Sequence, residues 1–178
     1  MARIDLSVES KVPEAAETLQ AIEAAFGRVP NLFRAYAHHP PLLRANWEKV
    51  QCVMGEGRLD RRLKEAIALS VSGDNGCAYC VAAHGRALKA LGTTDSTVES
   101  LVNQNGEGLP EGFDERELAL LRLVRKSNRS PMQVTDEELE AVHHAGWSDG
   151  ELVEALGVME LFIGFNRFLD TLQIDIDF

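Results

Sequence analysis

The chain has 178 residues, enough for one ordinary domain that buries a hydrophobic core without disulfide staples. Hydrophobic residues make up 45% of it and charged residues 26%, a balance that argues against intrinsic disorder. The formal net charge of -10 would repel nucleic-acid phosphates and anionic membrane surfaces, and no run of lysine or arginine compensates for it. We therefore expect no nucleic-acid partner and no membrane partner.

The sequence also suggests a cellular compartment. The first residues contain no apolar stretch followed by a small-residue cleavage site, and no segment approaches the ~20 apolar residues of a membrane span. Three cysteines, an odd number, are not typical of a secreted disulfide framework. We expect a cytoplasmic protein whose paired thiols are reactive groups rather than cross-links.

Apolar residues recur at three-and-four spacing between capping residues along almost the whole chain, which predicts an all-α fold of about eight or nine helices. The first helix should begin near Pro13 and end at Gly27. A short helix should follow from Pro30 to Tyr36, and Pro41 suits the first turn of the third helix. No segment shows the sustained alternation of a β-strand.

The middle of the chain predicts two helices joined by a short turn. Asp60 can cap a helix that continues through Val71, and Gly-Asp-Asn-Gly at 73–76 should break it. The next helix should run from about Cys77 to Leu91 and stop at Gly92. So short a turn would fold the two helices back against each other.

Four later helix starts are predicted by capping boxes. The pairs are Ser96 with Glu99, Asp114 with Glu117, Thr135 with Glu138, and Ser148 with Glu151. The last helix, at about 149–173, is the longest and should be the packing spine. Its predicted apolar stripe consists of Leu152, Leu156, Met159, Ile163 and Leu169. The tail at 175–178 should fray or dock on a neighbouring element.

Residues 103–113, rich in asparagine, glycine and proline, predict one long loop between two helical halves. Neither half alone would enclose much core, so we predict a single helical domain over residues 1–178.

The segment Cys77-Ala-Tyr-Cys-Val-Ala-Ala-His84 carries the strongest functional signal. At about 100° per residue, Cys77, Cys80 and His84 fall within roughly 60° of one another around a helix. The helix amino terminus favours a thiolate, and the imidazole can take or share the proton. Spacing favours Cys80 as the attacking thiol because His84 follows it by one turn. The opposite order stays open, since Cys77 is nearer the helix start.

Glu65 is the best candidate for a supporting carboxylate, because it lies on the preceding helix among apolar residues. A half-buried glutamate would have a raised pKa and could pass protons to His84 or to a thiol. The alternative is an exposed charge paired with Arg61 or Lys64.

Two other interpretations of the cysteine segment are a buried structural cluster and a zinc site, although zinc would need a fourth ligand from elsewhere. Cys52 is predicted to be a buried, inert thiol. The histidine pairs 38–39 and 143–144 are predicted to be structural. Trp47, Phe162 and Phe165 should lie in the core or at a subunit interface. Asn166 and Arg167 receive no role.

The spacing of four residues resembles the core signature of the alkyl hydroperoxidase D and carboxymuconolactone decarboxylase superfamily. The four are Glu65, then Cys77 twelve residues on, then Cys80 and His84. The signature region spans about residues 60–92. The segments Arg28-Val-Pro-Asn-Leu-Phe-Arg and Pro40-Pro-Leu-Leu resemble the peroxidase-related branch.

This resemblance implies a compact helical bundle that reduces alkyl hydroperoxides. It implies Cys80 as the peroxidatic cysteine, Cys77 as its disulfide partner, and Glu65 with His84 as a proton relay. No bound cofactor or metal is implied, only an external dithiol reductant, lipoyl-type or other, supplied by an electron-donor protein. The best-known member has a histidine between its cysteines, where this chain has Tyr79. Homo-oligomers, as dimers, trimers or hexamers, are implied as well.

Two alternative functions stay open at this point. A carboxymuconolactone-type decarboxylase belongs to the same superfamily but has no need of the dithiol. A non-catalytic redox sensor or interaction module could use the same dithiol to alter a partner surface.

Overall fold

The computed structural model describes residues 2–8, 11–103 and 110–178. Within these ranges it contains nine α-helices, two short 3-10 helices and no strand, which confirms the all-α prediction. The helices are α1 (Ala16–Phe26), α2 (Asn31–Tyr36), α3 (Pro40–Met54), α4 (Arg61–Asn75), α5 (Ala78–Ala90), α6 (Asp95–Val102), α7 (Glu115–Arg129), α8 (Asp136–His144) and α9 (Asp149–Leu172). The 3-10 helices are Pro13–Ala15 and Pro131–Gln133.

Helix α4 lies at the centre of the molecule. Its ten consecutive residues Leu63–Ser72 are all buried, whereas a surface helix buries only one face. Helices α5, α6, α7 and α9 all pack against it. Polar side chains of α4, among them Glu65 and Ser72, therefore lie in the interior, where each needs a hydrogen-bond partner.

The turn between α4 and α5 is shorter than predicted. Gly73 to Asn75 continue α4, so the prediction that they break it was wrong. Only Gly76 leaves the helix, with a left-handed φ of 74°, and the Cys77 amide donates to the carbonyl of Ser72 at 3.0 Å. Gly73 stays helical beside α6, where an added Cβ would lie 2.9 Å from the Val102 carbonyl oxygen.

Helix α5 ends where the sequence predicts. Gly92 has a φ of 88°, and the Thr93 amide donates to the carbonyl of Leu88 at 3.0 Å, which completes the left-handed cap. The predicted box at Ser96 was wrong. Thr94 caps α6 instead, because its hydroxyl accepts from the Thr97 amide at 3.3 Å, and the helix starts at Asp95.

The other three capping boxes are present at the starts of α7, α8 and α9. In each box the cap side chain accepts from a backbone amide, while the glutamate three residues on reaches back to the cap. Of the predicted loop at 103–113, residues 104–109 lie outside the described part of the chain.

Helix α9 is the longest, at 24 residues, and contacts α3, α4, α5 and α7. Its buried residues are Leu152, Ala155, Val158, Leu161, Phe162, Phe165, Asn166 and Leu169. The predicted stripe was partly wrong, since its three middle members are only partly buried. Apolar residues occupy more than one side of α9, so periodicity alone did not decide which side packs. Neither α9 nor any other described helix is long and apolar enough to cross a membrane.

The carboxy-terminal tail docks on the starts of α2 and α5. The carboxylate of Asp177 accepts from the Asn31 amide at 3.0 Å and from the hydroxyl of Tyr79 at 2.8 Å. The ring of Phe178 meets the ring of Tyr79 edge-on, with 5.1 Å between centroids. Of the two predictions for the tail, docking is therefore confirmed.

Candidate active site

The two thiols lie together at the amino terminus of α5. Cys77 is the N-cap residue and Cys80 is the third residue of the helix. Both are free thiols and both are buried, with 0% and 3% of their surface exposed. Because residues three apart on a helix lie on the same side, the two thiols share one site.

The pKa values of the two thiols are shifted in opposite directions. The Cys80 thiol, donating a hydrogen bond, lowers the pKa of Cys77, and the Cys80 backbone amide also lowers it. Burial and the Asp170 carboxylate oppose this effect. The pKa of Cys80 is strongly raised, first by its hydrogen bond with Cys77 and then by burial. When the pair ionises, the negative charge therefore favours Cys77, and the remaining proton stays on Cys80.

Glu65 and His84 are in direct contact between α4 and α5. The Glu65 Oε2 atom lies 2.6 Å from Nδ1 of His84, and both residues are buried. The other carboxylate oxygen, Oε1, accepts from Nε of Arg61 at 2.8 Å. Glu65 thus contacts His84, as the family signature implies. It also contacts Arg61, which was the expected partner had Glu65 been an exposed charge.

The expectation of a raised Glu65 pKa was wrong. Burial is the largest single influence and raises the pKa, but the hydrogen bond and charge of His84, joined by Arg61, together bring it below the ordinary value. An ionised carboxylate only accepts hydrogen bonds, so Nδ1 of His84 carries the hydrogen. The opposite ring nitrogen, Nε2, is then the atom left for proton exchange.

Aromatic residues of α9 close the site from the other side. The ring of Phe162 meets the His84 ring edge-on, with centroids 4.2 Å apart, and Phe165 packs on Phe162 at 6.0 Å. Both are buried, as predicted for core residues. Phe162 also covers His84, a role that sequence reasoning did not assign.

Asn166 is the site residue that sequence reasoning missed. It is completely buried and donates to Oγ of Ser72 at 3.1 Å. The pKa of Cys80, which Cys77 and burial raise, is lowered in part by Asn166 and Ser72. A lone asparagine in an apolar helix stripe was the signal available, because a buried amide needs partners. Its neighbour Arg167 is exposed.

Tyr79, between the two cysteines in sequence, has its side chain held by the tail. Burial raises its pKa, and the hydrogen bond to Asp177 raises it further. The phenol is 6% exposed. The hydroxyl bonds a carboxylate from the far end of the chain, 98 residues away.

Cys52 is exposed, so the prediction of a buried thiol was wrong. Helix α3 buries Leu43, Trp47 and Met54, and Cys52 lies about 180° around the helix from that face. The other four histidines contact backbone groups, consistent with their predicted structural roles. In the described ranges no group of three or more histidine, cysteine, aspartate or glutamate side chains is placed to hold a metal.

The fold and the site define a class of protein: an all-helical domain with a buried dithiol at a helix start, beside a glutamate–histidine pair. The model of the carboxymuconolactone decarboxylase family matches residues 40–126, the stretch that contains all four site residues. The chain belongs to the alkyl hydroperoxidase D-like and carboxymuconolactone decarboxylase superfamily.

Two curated relatives carry the name alkyl hydroperoxide reductase. The chain is 33% identical over 86 residues to one from Mycobacterium tuberculosis, which covers 48% of this chain and 25% of that protein. It is 36% identical over 67 residues to the reductase AhpD of Bradyrhizobium diazoefficiens, which covers 38% of this chain and 34% of that protein. The matches thus span about a quarter and a third of the relatives' lengths.

Among solved structures, the chain is similar to an uncharacterized peroxidase-related protein from Silicibacter sp. TM1040. The TM-score is 0.87 at 25% sequence identity, and the superposition covers 99% of this chain and 92% of that one. The whole helical arrangement is therefore shared, beyond the segment that the family model matches.

Proposed function

We propose that this protein is a thiol-dependent peroxidase that reduces alkyl hydroperoxides through Cys77 and Cys80. The observation that carries the proposal is the pair of buried free thiols at the start of α5, one helical turn from His84 with its Glu65 partner. The names of the curated relatives support the same reaction class. Their matches are partial, so the activity is proposed for this chain.

The first chemical step needs a thiolate on Cys80, whereas ionisation of the pair favours a thiolate on Cys77. We assign the start of the reaction to transfer of the proton that remains on Cys80 to the neighbouring Cys77 thiolate. The Cys80 thiolate then attacks the terminal oxygen of the hydroperoxide. A sulfur–oxygen bond forms, the peroxide bond breaks, and the leaving alkoxide takes a proton from Nε2 of a protonated His84 to give the alcohol.

The second step closes the disulfide. Cys77 loses its proton through His84 and attacks the Cys80 sulfenic acid, so that a sulfur–sulfur bond forms and the sulfur–oxygen bond breaks. The leaving hydroxide takes that proton and departs as water. Glu65 holds the imidazole by Nδ1 throughout, which keeps Nε2 available for both transfers.

An external dithiol must then reduce the disulfide. Exchange with the donor returns one thiolate and one thiol to the site, and the released proton restores His84. A lipoyl-type or other dithiol on an electron-donor protein is the predicted partner, and homo-oligomeric assembly likewise stays a prediction.

The test is consumption of an alkyl hydroperoxide such as cumene hydroperoxide, with dithiothreitol as the donor. The native protein and the Cys52→Ser control should turn over many times, whereas Cys80→Ser should be inactive. In the absence of dithiothreitol, Cys77→Ser should consume one equivalent and accumulate a sulfenic acid on Cys80, which dimedone traps and mass spectrometry locates. Equal rates in the native protein and Cys80→Ser would sink the assignment, and trapping on Cys77 in Cys80→Ser would reverse the order.

The same assay separates the other two functions. A redox sensor would consume peroxide once per dithiol and stop, even with donor present. A decarboxylase, which the name of the matching family model supports, would turn over carboxymuconolactone in the Cys77→Ser, Cys80→Ser double variant. Either result would replace the peroxidase proposal.

A further inference from the structure

We propose that Arg61 is a positioning residue that fixes the orientation of the Glu65 carboxylate and so determines which ring nitrogen of His84 carries the hydrogen. The proposal deepens the proposed function, on which its catalytic consequence rests. It concerns a residue one turn before Glu65 on α4, outside the glutamate, cysteine and histidine signature.

The two oxygens of the Glu65 carboxylate bind different partners. Oε1 accepts from Nε of Arg61 at 2.8 Å and lies 2.6 Å from Nη2 of the same guanidinium. Oε2 lies 2.6 Å from Nδ1 of His84. Because both arginine donors converge on one oxygen, the other oxygen is left to the imidazole. An arginine that bound both oxygens would compete with His84.

Arg61 is itself held at the far edge of its guanidinium. Its Nη1 donates at 2.7 Å to the carbonyl of Met54, the last residue of α3. The last carbonyls of a helix have no partner within the helix, so this oxygen is a ready acceptor. The guanidinium therefore joins the end of α3 to Glu65, and its planar shape fixes the donors relative to both partners.

The position of Arg61 in α4 does not serve the helix itself. After the cap residue Asp60, the first turn of α4 contains Arg61 and Arg62 and no acidic residue. The macrodipole disfavours cations at a helix amino terminus, and arginine four residues before glutamate is the less favourable order for an ion pair along a helix. The partner carboxylate is moreover buried, with 2% of Glu65 exposed. Arg61 is therefore explained by the group that it binds.

The ionisation of Glu65 decides the polarity of its bond to His84. An ionised carboxylate only accepts, so Nδ1 carries the hydrogen and Nε2 is free to accept a proton. A protonated Glu65 could instead donate to Nδ1, and the ring hydrogen would then lie on Nε2. Burial favours that protonated form by raising the pKa of Glu65, and Arg61 opposes it together with His84. Arg61 thus keeps Nε2 available for the proposed proton transfers.

The experiment locates the hydrogen on His84 directly. Histidine ring nitrogens are labelled with nitrogen-15, and their NMR shifts at about pH 8.5, above the ordinary histidine pKa, distinguish a nitrogen that carries hydrogen from a bare one. Loss of the signals in His84→Gln assigns them. Arg61→Met keeps the aliphatic stem and removes the guanidinium. It should lower the ratio of the Nδ1–H form to the Nε2–H form by about tenfold, the effect of losing one charge-assisted hydrogen bond. Arg61→Lys, which keeps the charge without the paired donors, should give an intermediate ratio.

The matched control is Arg62→Met. Arg62 is the next residue of α4, and its Nη2 lies 2.6 Å from Oε1 of Glu117, so this variant loses an ion pair of the same kind away from His84. Its ratio should equal that of the native protein. An unchanged ratio in a folded Arg61→Met variant, or an equal change in Arg62→Met, would overturn the proposal. Should Arg61→Met fail to fold, a native ratio in Arg61→Lys would overturn it as well.

No peroxide enters this measurement. In the peroxidase assay Arg61→Met should lower kcat/KM by about tenfold, whereas Arg62→Met should not lower it. If the protein proves to have no peroxidase activity, the proposed function fails while the NMR ratio still decides the role of Arg61. If the ratio does not move, the role of Arg61 fails and the native protein's peroxidase activity is unaffected.

Discussion

Nδ1 of His84 lies 2.6 Å from Oε2 of Glu65, although 19 residues separate them in sequence. The contact exists because α4 and α5 are joined by a turn of only Gly76 and Cys77, which brings the two helices face to face. Burial raises the pKa of Glu65, but its interactions with His84 and Arg61 lower it by more, so the carboxylate carries its charge at neutral pH.

The pH dependence of stability should report this charge. A carboxylate whose folded pKa lies below its unfolded value, about 4.3, stabilises the fold above that value and loses the effect as the pH falls through the folded pKa. We expect Glu65→Gln to lower the free energy of unfolding by about 1–3 kcal/mol at pH 7, and by less at pH 4. Urea unfolding at the two pH values measures it, with the exposed Glu160→Gln as control. A difference of the same size at both pH values would contradict the lowered pKa.

The acidity of Cys77 should depend on Cys80. The hydrogen bond from the Cys80 thiol is the largest cause of the lowered Cys77 pKa. In the Cys52→Ser background, Cys80→Ala should therefore raise that pKa and slow alkylation of Cys77 at neutral pH by about tenfold. Comparison with the native pair, resolved by mass spectrometry of each cysteine, supplies the reference rate. A titration midpoint of Cys77 that falls or stays constant would contradict the role of Cys80 in lowering the Cys77 pKa.

The tail should loosen when its contact with Tyr79 is removed. Tyr79→Phe keeps the ring that packs on Phe178 but deletes the hydroxyl that donates to Asp177. We expect a loss of about 1 kcal/mol in unfolding free energy and faster amide hydrogen exchange over residues 174–178. Exchange in α7, which is remote from the tail, serves as the internal control. Unaltered exchange in the tail would show that its other contacts hold it alone.

Replacement of Lys64 should destabilise the fold strongly, because this lysine side chain is completely buried. Its Nζ pairs with Glu154 and donates to the carbonyl of Gly55 at 2.8 Å. Lys64→Met leaves the Glu154 carboxylate without its cation and should cost about 3 kcal/mol. Lys49→Met removes an exposed pair with Glu160 and should cost about 0–1 kcal/mol. Urea unfolding of both variants checks the contrast, and equal losses would contradict it.

The sequence determined the helices and much of the dithiol site. Capping depends on residues within one turn, so the sequence marks several helix ends correctly. Examples are Asp60, the box of Asp114 with Glu117, and Gly92. The same short range places Cys77 and Cys80 at one helix start. The error at Ser96 arose because Thr94, two residues earlier, supplies the same kind of oxygen.

Only the tertiary structure decided which groups meet and where charge resides. The exposure of Cys52 depends on the side that α3 turns to its neighbours, and the lowered Glu65 pKa depends on partners that outweigh burial. Asn166 reaches Ser72 because α9 packs across α4. Capping and periodicity act over a few residues, whereas the pKa of a buried group is set by whichever distant side chains the packing brings within hydrogen-bond distance.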